Sequence, residues 1–149
     1  MATILYVDDE PVIGTLLKHA IEQAGHHALG ATSVPEALQV LAGGGVDLII
    51  SDHQMPGLTG LDFLDILKRD GVNTPLIILT GFASIEHAVQ AIKHGAIDYI
   101  TKPVDPQQLE IAIDQALDVV RLRQENERLH AEVLALRQNQ TIVGESVAI

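Results

Sequence analysis

Apolar residues recur along this chain with two periods, and the periods alternate. Short unbroken runs appear at Ile4-Leu5-Tyr6-Val7, Leu48-Ile49-Ile50 and Leu76-Ile77-Ile78-Leu79. Runs of this length, closed by polar residues, predict strands buried on both faces, as in a parallel sheet. A weaker run at His27–Ala31 and a fifth within Ala96–Thr101 complete the set. Between them, apolar residues fall three and four apart, which predicts helices packing on the sheet. The predicted core faces are Val12, Ile13, Leu16, Leu17, Ala20 and Ile21, then Ala37, Leu38 and Leu41, then Leu61, Leu64 and Leu67. Ile85, Ala88, Val89 and Ile92 follow, and Leu109, Ile113, Ala116 and Leu117 lie on a last, long helix.

The punctuation agrees with this rhythm. Pro11, Pro35 and Pro106 sit where helices open, because a missing N–H costs nothing there. Thr32 or Ser33 and Ser84 are candidate caps, and Gly25, Gly43-Gly44-Gly45, Gly71 and Gly95 are candidate stops. Five strand–helix alternations predict an α/β fold, a doubly wound five-stranded parallel sheet of order 2-1-3-4-5, flavodoxin-like, with an extended C-terminal helix.

Composition narrows the function classes. The chain has 149 residues and is 47% hydrophobic, enough for one cored domain plus an extension. Its formal net charge of -11 argues against direct binding of nucleic acid, which needs concentrated positive charge. Cysteine is absent, so disulfides and thiol chemistry are excluded, and a reducing compartment fits. No apolar run approaches a membrane span, and no basic region precedes the first strand, so neither membrane insertion nor a signal peptide is expected. A cytoplasmic location follows as the expectation.

The candidate chemistry lies where the strands end. Ligand sites of open α/β sheets sit outside the carboxyl ends of the strands. The first run stops at Asp8 and Asp9, the third at Asp52, the fourth at Thr80, and the fifth is followed by Lys102-Pro103. Three crowded carboxylates raise one another's pKa unless a cation sits among them. Oxygen-only ligands point to Mg²⁺ before zinc. Asp52 is then free to act as a nucleophile, since carboxylates form acyl phosphates. Mg²⁺, Lys102 and the Thr80 hydroxyl can each meet one phosphoryl oxygen.

These elements, in this order, resemble the receiver domain of a bacterial two-component response regulator. The resemblance rests on Asp8-Asp9, Asp52-x-x-Met55-Pro56-x-x-x-Gly60, Thr80-Gly81 and Asp98-Tyr99-Ile100-Thr101-Lys102-Pro103, and covers about residues 1 to 120. It implies that Asp52 is the phosphoacceptor and that a sensor histidine kinase is the donor. It implies Mg²⁺ held by Asp8, Asp9, Asp52 and the backbone carbonyl of Gln54. It further implies a switch hydroxyl at Thr80, a rotating aromatic at Tyr99, and a Lys102 that meets the acyl phosphate beside a cis Lys102–Pro103 bond. The chain would be a signalling phosphoacceptor and not an enzyme, at most catalysing its own phosphorylation and dephosphorylation with Mg²⁺. A phosphorylation-independent interaction module is the alternative. A haloacid-type phosphohydrolase is disfavoured because Gln54 stands where a second, general-acid Asp is needed.

Thr80-Gly81-Phe82-Ala83, the long helix and Ile142-Val143-Gly144-Glu145-Ser146 also resemble regulators of the NtrC class. Those join a receiver to an AAA+ ATPase that activates sigma-54 RNA polymerase, and to a DNA-binding domain. The expected organisation is a receiver over 1–118, a linker helix over 119–140 and the opening of the ATPase over 141–149. Polymerase and DNA would then be reached only through further domains. Val119, Asn126 and Val133 at a positions and Leu122, Leu129 and Leu136 at d positions form a heptad seam. β-branched residues at a with Leu at d predict a parallel dimer, with Asn126 setting register.

Overall fold

The computed structural model describes residues 2–55, 57–81 and 85–122. The chain divides into two compact units, residues 1–117 and 118–149, and only 118–122 of the second are described. In chain order the elements are β1 (Thr3–Val7), α1 (Pro11–Gln23), β2 (His27–Ala31), α2 (Val34–Ala42), β3 (Leu48–Asp52), α3 (Gly60–Arg69), β4 (Leu76–Thr80), α4 (Ile85–Lys93) and β5 (Asp98–Thr101). A final helix, α5, occupies residues 106–122 of the described chain.

The strands form one parallel sheet of order β2-β1-β3-β4-β5. Successive strand residues point to opposite faces, and the core splits accordingly. Leu5, Val7, Ile49 and Ile78 pack with Val34, Ala37, Phe63, Leu64, Leu67 and Ala91 of α2, α3 and α4. Ile4, Leu48, Ile50, Ile77 and Leu79 pack with Leu17, Ala20 and Ile21 of α1 and with Leu109, Ala112, Ile113 and Ala116 of α5. All five residues of β3 and of β4 are buried. Each fully buried Ile or Leu side chain contributes about 1.5–3 kcal/mol, so the central strands are the firmest platform in the molecule.

Two predicted helix faces are turned. Val12 is 78% exposed, and α1 buries only Leu17, Ala20 and Ile21 fully. On α4, Val89 and Ile92 are half exposed while Ala91 is buried. The small Ala91 takes the inward position in the core, and the larger residues lie on the flank. Ser84 and the side chain of Ile85 lie outside the described residues.

The starts of α2 and α3 are capped by short-range chemistry. At α2 the Ser33 hydroxyl accepts from the Glu36 N–H, while Glu36 accepts from the Thr32 N–H at 3.1 Å and its hydroxyl at 2.7 Å. At α3, Thr59 and Asp62 make a reciprocal capping box. The start of α3 also lies tight against the end of β3. A Cβ on Gly60 would sit 2.8 Å from Ile78 Cδ1 and 3.1 Å from both Asp52 O and His53 Cα. Only glycine fits this close approach, and the Gly60 N–H donates to the His53 carbonyl at 2.9 Å.

Val119 and Leu122, the first two positions of the expected seam, are exposed, and Arg121 pairs with Asp118 at 2.8 Å. Asn126, Leu129, Val133, Leu136 and the segment 141–149 lie outside the described residues. No helix among the described residues is long and apolar enough to cross a membrane.

Candidate functional site

The chain runs from β1 to β2 on one side and later places β3 on the other, so the strand order reverses between β1 and β3. Their carboxyl ends deliver Asp8 and Asp52, which are 3% and 2% exposed. Backbone bonds extend the ladder past the strands. The Asp8 N–H donates to Ala31 O at 3.1 Å, His53 N–H to Leu79 O at 2.7 Å, and Lys102 N–H to Thr80 O at 2.7 Å. Each functional side chain therefore hangs from a residue fixed by the sheet.

Lys102 bridges the two carboxylates. Its ammonium stands 3.2 Å from Asp52 Oδ1 and 3.6 Å from Asp8 Oδ2. Asp52 Oδ1 also accepts the Gln54 N–H at 3.3 Å, and Asp8 Oδ1 accepts the Glu10 N–H at 2.9 Å. Asp8 Oδ2 is different. It is buried and has no hydrogen-bond partner among the described residues. Burial pushes the Asp8 carboxyl above its usual range; the Glu10 N–H opposes this, the Asp52 charge adds to it, and Lys102 only partly relieves it. Burial pulls the Lys102 ammonium down, but the Asp52 and Asp8 carboxylates outweigh it and hold the group above its ordinary value.

The carboxylates of Asp8, Glu10 and Asp52 offer ligand atoms within 4.8 Å of one another, the one such acidic group among the described residues. Asp9 is exposed and stands outside that group. Glu10 is a member that reading the sequence missed. A hard divalent cation fits this donor set, which is all oxygen and includes a buried carboxylate oxygen left unpaired.

Thr80 is 1% exposed at the end of β4, next to the acidic edge. It lines a small cavity with Tyr99, His53, His87, Leu61, Ile78 and Ala91. Tyr99 is half buried there and packs against the core beneath α3 and α4. Burial, then repulsion from His87, holds the His53 imidazole below its ordinary value, against the pull of Asp52 and Asp62. The Lys102–Pro103 peptide bond is cis. Sheet topology thus gathers Asp8, Asp52 and Lys102 directly, sets Thr80 and Tyr99 around a neighbouring cavity, and leaves Asp9 facing solvent.

Comparison with known proteins places this arrangement among relatives. A family model described as response regulator receiver domain matches residues 4–114. The nitrogen assimilation regulatory protein NtrX of Azorhizobium caulinodans is 39% identical over 148 residues, covering 98% of this chain and 32% of that protein. The phosphate regulon transcriptional regulatory protein PhoB of Pseudomonas aeruginosa is 39% identical over 109 residues, 72% of this chain and 48% of that protein. The crystal structure of NtrX from Brucella abortus superposes with a TM-score of 0.81 at 33% identity, covering 87% of this chain and 30% of that one. A receiver domain from Clostridium thermocellum gives 0.76 at 37% identity, covering 82% and 98%. The chain spans about a third of the length of the NtrX proteins it matches.

Proposed function

The chain belongs to the response regulator receiver domain family, and on that premise we propose that Asp52 takes a phosphoryl group from the phosphohistidine of a sensor kinase. A carboxylate oxygen of Asp52 attacks phosphorus, and the donor's P–N bond breaks with its electron pair passing to the ring nitrogen. Lys102 stands 3.2 Å from the nucleophile and is held as an ammonium, ready to meet a phosphoryl oxygen. Asp8, Asp9, Asp52 and the Gln54 carbonyl are the residues proposed to hold Mg²⁺. When bound, Mg²⁺ would neutralise charge on the transferring group. Thr80 follows the phosphoryl group with its hydroxyl, and Tyr99 moves in the cavity they share.

The observation that carries this reading is the meeting of Asp8, Asp52 and Lys102 within ion-pair range at the sheet edge. The role is that of a signalling phosphoacceptor in the cytoplasm, not an enzyme acting on a free substrate. The likeness to a transcriptional regulatory protein, PhoB, and to the nitrogen assimilation regulator NtrX supports an output in transcription; within this proposal that output runs through a sigma-54-type activator in a longer protein, with phosphorylation altering dimer contacts along the linker helix.

Acetyl phosphate with Mg²⁺ tests the proposal by intact-protein mass. The wild type gains one phosphoryl group and Asp52→Ala gains none. Equal incorporation in Asp52→Ala would overturn the assignment.

A further inference from the structure

We infer that His87 is the side chain through which α4 senses the state of the switch cavity, a wedge that the Tyr99 ring displaces when it turns inward. This rests on the phosphoacceptor reading above and adds the residue that passes the event on. Thr80 and Tyr99 line that cavity together with His53, and α4 gives it two side chains among the described residues, His87 and Ala91. The two are four apart and so share one face of the helix. Ala91 is 1% exposed and ends at its Cβ, whereas His87 carries a ring and is exposed. The imidazole therefore stands where the cavity meets solvent, close enough for its charge to be felt at His53.

The other walls of the cavity are firm. Ile78 and Thr80 belong to β4, whose residues are all buried and which is paired on both sides. Leu61 belongs to α3, which the Thr59–Asp62 box caps and which Gly60 holds against the end of β3. His53 is tied through its N–H to Leu79 O at 2.7 Å and through its carbonyl to the Gly60 N–H at 2.9 Å. In contrast, α4 packs inward through the small Ala91, with Val89 and Ile92 half exposed. Close-packed interiors hold few voids, so a ring entering a small cavity must move a wall. The wall that moves is the one with the least apolar burial.

The carboxyl end of α4 supplies the pivot. His94 Nδ1 lies 2.8 Å from Asp65 Oδ1 of α3, and the Lys68 stem packs over Gly95, where a Cβ would meet its Cε at 3.0 Å. The Ala96 N–H donates to Ala91 O at 3.0 Å and the Ile97 N–H to Leu76 O at 2.9 Å, which fastens this end to the start of β4. His87 lies about two turns from His94. A push on His87 then turns α4 about its fastened end, and the half-exposed Val89 and Ile92 are carried with it. Bulk at position 87 transmits the push, so a ring without charge would serve equally.

The test is hydrogen exchange read by mass spectrometry, with and without acetyl phosphate and Mg²⁺, on protein whose intact mass shows one added phosphoryl group. In the wild type, phosphorylation should change exchange across residues 87–92 by about fivefold or more, the low end of ordinary coupling, and leave residues 95–97 unchanged. His87→Ala should gain the phosphoryl group equally yet show no change in α4. His87→Phe should respond like the wild type, as should Gln90→Ala, at an exposed position of the same helix. A wild-type response in His87→Ala, loss of the response in His87→Phe, or equal loss in Gln90→Ala would overturn the inference and leave Asp52 as the phosphoacceptor. A phosphorylated wild type with no change in α4 would do the same. Failure of the wild type to gain a phosphoryl group would overturn the phosphoacceptor reading itself, and this inference with it.

Discussion

The starts of α2 and α3 and the carboxyl edge of the sheet both hold acidic side chains against backbone N–H groups, with opposite consequences. At the helix starts, Glu36 and Asp62 accept from Thr32 and Thr59 at the surface, and those bonds hold both carboxyls below their usual range. At the sheet edge, burial pushes Asp8 above its range, and one of its oxygens lacks a hydrogen bond among the described residues. The helix caps are complete by themselves and stabilise the fold. The edge is incomplete and costs stability that Lys102 only partly offsets. An incomplete carboxylate cluster on the firmest strands is a place where a cation and a phosphoryl group can do chemistry.

The contrast can be broken most sharply at Lys102. Lys102→Met removes the one ammonium between two buried carboxylates. It should lower stability in metal-free buffer by about 2–3 kcal/mol, below the full value for a buried pair because the ammonium still meets water. Urea unfolding would measure this, and added Mg²⁺ should recover part of the loss. The caps predict a smaller effect with no metal dependence. Thr59→Ala should cost about 1 kcal/mol, equally with and without Mg²⁺.

The smallest effect lies in the acid limb of the stability curve. Because the folded values of Glu36 and Asp62 lie below the ordinary 4.5 and 3.8, their contribution is complete above those ordinary values. It is lost as pH falls through the lower, folded values. Asp62→Asn and Glu36→Gln should therefore flatten the acid limb of the unfolding curve and change little at neutral pH beyond the loss of the cap. Asp8 runs the other way: its penalty is complete at neutral pH and eases as pH falls through its raised value. A steeper acid limb in either cap variant would contradict the contrast.

Much of this was legible in the order of residues. Strands buried on both faces read as near-continuous apolar runs, so β1, β3 and β4 stand out, and the right-handed crossover rule leaves few orders for them, of which 2-1-3-4-5 fits best. A carboxylate or hydroxyl at the end of such a run can only lie at the sheet edge, which is why Asp8, Asp52 and Thr80 were readable. Helix faces were less so. Val12 on α1 and Val89 and Ile92 on α4 continue an apolar spacing but are exposed, while on α4 the small Ala91 takes the buried position. The Thr59–Asp62 box carried a signal, an acid three residues after a threonine, that periodicity alone passes over. Glu10 was hidden because three consecutive acids look alike in a sequence. Only the backbone path between β1 and α1 decides which of them brings a carboxylate oxygen within 4.8 Å of Asp8 and Asp52, and both Asp9 and Glu10 are exposed.

The most direct test compares thermal unfolding of the wild type, Thr59→Ala and Asp8→Asn over a Mg²⁺ titration. Without metal, Asp8→Asn should be more stable than the wild type by about 1 kcal/mol, as expected when a strained site is relaxed. Saturating Mg²⁺ should raise the melting temperature of the wild type and of Thr59→Ala by the same amount, and that of Asp8→Asn by much less. An equal rise in Asp8→Asn, or no rise in the wild type, would contradict the claim that this edge is built to be completed by a cation.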